Sequence, residues 1–103
     1  MSTSEQRYKA YSACLIACEM CIKECEINGY IRCLELCREC SELCTLGMRL
    51  EAQNAESIIS FFKLCKNMCI LCSEECAKHA TMHKSCENCF YACKMLLQPE
   101  LYY

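Results

Sequence analysis

The sequence predicts an all-α chain, an antiparallel up-down-up-down four-helix bundle with a cysteine-lined core, and three observations carry that prediction. The first is a repeated spacing. Residues 14–25, CLIACEMCIKEC, hold Cys14, Cys18, Cys21 and Cys25 in steps of four, three and four; Cys33, Cys37, Cys40 and Cys44 repeat the steps, as do Cys65, Cys69, Cys72 and Cys76. A fourth copy runs Met82, Cys86, Cys89, Cys93, with methionine where the first cysteine would stand. Such steps place all four side chains of a copy on one face of an α-helix. The second observation is that each copy is embedded in Glu, Lys, Leu, Ala, Met and Arg, which favour helix. The third is that the breakers fall between the copies.

Taken in order, the elements are helices over about 4–27, 31–53, 55–78 and 82–97 in one domain spanning 1–103. Asn28-Gly29-Tyr30 ends the first with a glycine C-cap signal. Gln53 and Asn54 mark a turn after the second, Thr81 is placed to cap the fourth, and Pro99 stops it. Short connections make consecutive helices antiparallel neighbours. The cysteines then gather at one end of the bundle, because they lie in the C-terminal halves of helices one and three and the N-terminal halves of two and four. Since four-three-four reads the same in both directions, four layers align. They are Cys25, Cys33, Cys76 and Met82; Cys21, Cys37, Cys72 and Cys86; Cys18, Cys40, Cys69 and Cys89; and Cys14, Cys44, Cys65 and Cys93. This sulfur lattice spans about 16 Å at 1.5 Å per residue.

Beyond Cys14 the same spacing reaches Tyr11, Gly47, Phe62 and Leu96, with Met48 adjacent: an apolar plug, in which glycine makes room for rings. Beyond Cys25 lie Asn28, Tyr30, His79, Met82 and His83, which read as a mouth. Met20, Met68 and Met95 fall off the sulfur stripe and read as flanking core or interface, and Leu64, Met68 and Leu71 with Phe61 form a second apolar stripe on the third helix.

Fifteen cysteines in 103 residues would suit a secreted disulfide scaffold, but two Gly and one Pro leave no loops for one. The start MSTSEQRYKAY lacks a basic segment followed by an apolar run, and no window is long enough for a membrane span, so the expectation is a cytoplasmic protein with reduced thiols and no membrane partner. A net charge of -2 with interspersed charges argues against a nucleic-acid partner. Within a helix, Cβ atoms at i and i+4 are about 5–6 Å apart, beyond the ~3.8 Å of a disulfide.

A bundle needing only apolar packing would use Leu and Ile, so the thiols point to metal. Thiolate and thioether with imidazole at the rim suit Cu(I); zinc prefers closed four-ligand sites on turns, and the CxxCxxC run of ferredoxins is absent. A Cu(I) that replaces a thiol proton leaves the core charge unchanged, which leads to about one ion per cysteine, about 15 per chain. The candidate ligands are the fifteen cysteines, with His79, Met82 and His83 at the mouth. A zinc or general metal buffer remains open, as does an iron–sulfur or thiol redox protein, although the Cys-His-acid arrangement of nucleophilic enzymes is missing and no enzymatic activity is expected.

With CxxxCxxCxxxC on three of four helices, a shortened copy on the last, and His and Met around the third loop, the chain resembles the bacterial copper storage proteins, specifically their cytosolic branch, over nearly its whole length. The resemblance implies a bundle filled with many Cu(I) ions, loading at the His- and Met-bearing end, and assembly as a homotetramer.

Overall fold

The structure is a computed structural model and describes residues 3–101. It contains four helices: α1 (Ser4–Asn28), α2 (Ile31–Ala52), α3 (Ile58–Ala77) and α4 (Lys84–Leu96), followed by a 3₁₀ turn at Pro99–Leu101. No strand occurs among the described residues. A capping box starts α1, with the Thr3 hydroxyl accepting from the Gln6 amide and the Gln6 side chain accepting from the Thr3 amide. Gly29 ends it in the left-handed region at φ 73°, where a side chain would be strained, and its amide donates to the Cys25 carbonyl. Tyr30 is thereby set at the head of α2.

Two helix starts differ from the sequence expectation. Asn54 adopts φ 53°, and the chain makes turns through 53–57 before α3 begins at Ile58 rather than at 55. At the last helix His83, not Thr81, holds the N-cap position, in extended backbone, so that α4 begins at Lys84 rather than 82. Its imidazole lies against the Tyr30 hydroxyl and the Glu24 carboxylate.

The helices pack in a ring, α1 against α2 and α4, and α3 against α2 and α4, in a body of 40 × 20 × 18 Å. Sulfur pairs fix their directions: as α1 rises through Cys14, Cys18 and Cys21, its partners on α4 descend through Cys93, Cys89 and Cys86. On α2 and α3 the pairs are Cys33 with Cys76 and Cys37 with Cys72. Neighbouring helices are therefore antiparallel. Leu15, Ile22, Leu34, Leu43, Leu50 and Phe90 pack around the sulfurs as a half-buried apolar sleeve.

Candidate metal centre

All fifteen cysteines are free thiols, each 0–1% exposed, and they form the axis of the bundle. The predicted layers recur as cross-helix pairs, and diagonal contacts join one layer to the next: Cys21 to both Cys33 and Cys76, Cys37 to Cys76 and Cys89, Cys14 to Cys40. Sγ–Sγ separations in these pairs run from 3.4 Å, at Cys21–Cys86, to 4.0 Å, at Cys37–Cys89. With a thiolate–metal length of about 2.3 Å, two sulfurs on one ion stand about 4.0 Å apart at trigonal and about 4.6 Å apart at linear geometry. The lattice is thus spaced for metal with displacements of a few tenths of an ångström.

Several sulfur groups lie within 4.8 Å of one another: Cys21, Cys33, Cys37 and Cys76; Cys21, Cys25, Cys33 and Cys86; Cys37, Cys72, Cys76 and Cys89. These foursomes share members, so they cannot all be closed tetrahedral zinc sites at once. Shared sulfurs suit an ion that accepts two or three thiolates and tolerates bridging, the preference of Cu(I). Beside the lattice the Ser41 hydroxyl donates to the Arg38 carbonyl and that of Ser73 to the Ile70 carbonyl. Burial pushes the Cys25 thiol up to about 12 and raises that of Cys86, because a charged sulfur loses its hydration there. The outermost thiols therefore keep their protons at neutral pH until something replaces them.

The ends differ as the spacing predicts, with two corrections. At the closed end Tyr11 is 1% exposed and Leu96 is buried, and Phe61 is the buried phenylalanine, meeting the Tyr11 ring at 6.0 Å and 54°, while Phe62 is half-buried. Steps of three and four both fit the helix period, and the chain takes four here. A Cβ on Gly47 would lie 2.7 Å from the Tyr11 ring, so glycine does make room for it. Met48 packs half-buried against this end. The sequence reading missed a buried ion pair beside the plug: Glu51 accepts from Arg7 Nε at 2.8 Å and from the Ser4 hydroxyl at 3.0 Å.

At the mouth the structure brings Tyr30, His79 and His83 together. The Tyr30 ring stacks on His79 at 3.8 Å and 12°, and meets His83 edge-on at 5.4 Å. Its hydroxyl lies 2.9 Å from His83 Nε2. Two carboxylates unremarked in the sequence back these rings: Glu75 Oε2 is 3.5 Å from His79 Nε2, and Glu24 Oε1 is 3.6 Å from His83 Nδ1. Glu75 also binds Lys78 and Arg32. The i,i+4 spacing of Glu75 and His79 was a legible signal, whereas Glu24 and His83 are far apart in the chain. Met82 is corrected: it sits in the turn before α4, 77% exposed, and is not a member of the outermost sulfur layer. That layer is completed by Cys86, which approaches Cys21, Cys25 and Cys33. Asn28 is engaged at the end of α1, donating to the Glu24 carbonyl and carboxylate. Off the lattice, Met68 is half-buried, and Met20, Met95, Leu64 and Leu71 are exposed.

A sulfur lattice of this kind has known counterparts. The family model for copper storage protein matches residues 1–98. The chain belongs to the copper storage protein family. A solved structure described as Cu(I)-bound copper storage protein BsCsp3 superposes with a TM-score of 0.84 at 28% identity, covering 91% of each chain. A second, the metal-free copper storage protein 3 from Bacillus subtilis, gives a TM-score of 0.65 at 28% identity over 92% of this chain and 99% of that one. The uncharacterized cysteine-rich protein YhjQ of Bacillus subtilis (strain 168) is 30% identical over 90 residues, 84% of this chain and 82% of that protein. In this copper storage protein the bundle core is filled with cysteine.

Proposed function

We propose that this chain stores Cu(I) as a neutral copper–thiolate core, with all fifteen cysteines as ligands and about one ion per cysteine. The observation that carries the reading is a buried axis of free thiols spaced 3.4–4.0 Å apart across helices. Ions arrive at the mouth, where His79, His83 and the exposed Met82 thioether receive them and pass them to Cys25, Cys33, Cys76 and Cys86. Each ion displaces a thiol proton, so successive ions enter a core whose charge stays near zero, avoiding the cost of unpaired charge in an apolar interior. The plug of Tyr11, Phe61 and Leu96 supports filling from one end only.

The chain works in the cytoplasm, where thiols remain reduced, as a store or detoxifying sink rather than an enzyme, and it assembles as a homotetramer. Exposed Ile59, Leu64 and Leu71 on α3 and Ile16 and Met20 on α1 support contact with further copies. Anaerobic titration of the reduced protein with Cu(I), reading bound metal against free thiols, tests the storage role. The expected break is near one ion per cysteine with loss of thiol reactivity; saturation at one or two ions removes it.

A further inference from the structure

The mouth holds two histidines in unequal states, and a single tyrosine makes the difference. His83 directs Nδ1 toward the Glu24 carboxylate and Nε2 toward the Tyr30 hydroxyl. A carboxylate 3.6 Å away, which only accepts, favours the ring proton on Nδ1, and Nε2 then offers a lone pair to the Tyr30 O–H at 2.9 Å. That lone pair is the one a Cu(I) ion would need. His79 Nε2, by contrast, is buried and makes no hydrogen bond among the described residues, with the Glu75 carboxylate 3.5 Å away, while the face of its ring is covered by Tyr30 at 3.8 Å. One side chain thus occupies the nitrogen of one histidine and shields the ring of the other.

We propose that Tyr30 is a copper-displaceable latch over the mouth, a positioning residue that holds both histidines in a closed cluster until an ion competes for His83. This rests on the storage reading and deepens it by naming what controls the rate of passage. In the opening step the Tyr30 O–H···Nε2 bond breaks, Cu(I) takes the Nε2 lone pair, and the hydroxyl turns to water. No proton leaves His83, because its ring proton stays on Nδ1 toward Glu24. As the hydroxyl leaves, the ring loses one of its two anchors and can slide off His79, opening the second imidazole. Once His83 passes the ion to the sulfurs the order reverses, and the latch closes over the loaded core. The backbone suits such a part: Tyr30 follows Gly29 in its left-handed turn and precedes α2, so its side chain can turn without disturbing a helix interior. The latch is closed both before loading and after it, so it sets the rate of passage in both directions and leaves capacity alone.

Tyr30→Phe tests it, because the ring and its stacking remain and only the hydroxyl goes. With Cu(I) supplied as a weak chelate for uptake and removed by an excess of a strong Cu(I) chelator, the variant is expected to load and unload about two- to tenfold faster, the range of one hydrogen bond. Its copper count should match the wild type. Unchanged rates at full capacity would overturn the latch and leave the storage reading standing. Wild-type protein that saturates at one or two ions would overturn both. A second measurement needs no variant: in nitrogen-15 spectra of histidine-labelled, metal-free protein, His83 should carry its proton on Nδ1. A proton on Nε2 overturns the proposal, since the nitrogen assigned to copper would then be the donor.

Discussion

Cysteine is a poor choice for filling a bundle and a good one for filling it with metal, and the residue scale shows why. The side chain is small and apolar enough to pack as Cys37 and Cys40 do, fully buried at the core of α2. It is also a soft ligand that must give up a proton to bind. The Cys25 thiol, raised to about 12 by burial, is protonated throughout the physiological range. Copper and protons therefore compete there, and raising the pH favours copper. The apparent Cu(I) affinity is expected to increase roughly tenfold per pH unit per thiol below that value, read by competition with a chelator whose own protonation is known. A pH-independent affinity would mean that the thiols are already ionised. Single residues were legible in the sequence where their role is periodic. Every cysteine position was, while Met82 was not, because the period was carried one residue type too far into a turn where His83 is held extended by tertiary contacts.

Helices were readable from their stops more than from their starts. Gly29 and Pro99 act locally, through a positive φ and a missing amide, and both mark the ends expected of them. The turn at Asn54, which adopts φ 53°, was legible, but its continuation to residue 57 and the contact of His83 with Tyr30, which delay the starts of α3 and α4, have no local pattern that encodes them. The same limit explains Phe61: whether the step beyond Cys65 is three or four is decided by packing against Tyr11. The Arg7–Glu51 pair was hidden for a similar reason, since charges 44 residues apart look like ordinary surface charges until the helices meet. At the α1–α2 contact Gly47 is the sensitive point. Gly47→Ala places a methyl 2.7 Å from a ring that is itself fully buried, and should lower stability by about 1–3 kcal/mol despite the better helix propensity of alanine. A lower denaturant midpoint with unchanged slope would confirm the clash; equal or greater stability would mean that Tyr11 yields freely.

For the whole molecule, the symmetry of the four-three-four step is what made the site readable before the fold was in hand. A spacing that is the same in both directions keeps its register when helices run antiparallel, so pairs such as Cys18–Cys89 and Cys33–Cys76 follow from topology alone. The diagonal contacts that turn separate layers into one lattice did not follow, because they depend on the stagger between helices. Polarity along the axis follows from the two ends: a plug of Tyr11, Phe61 and Leu96, and a mouth of Tyr30, His79 and His83. The proposed filling from the mouth would make the outer sulfurs matter most for rate. Cys25→Ser should slow loading more than Cys14→Ser, although each removes one thiol; equal rates would abolish the directional account. The most direct test of the central claim is native mass spectrometry of the anaerobic, copper-saturated protein, which counts ions and the protons they displace in one spectrum. The account predicts about 15 coppers per chain with one proton lost for each. Saturation at a few ions, or coppers added without matching proton loss, would contradict it.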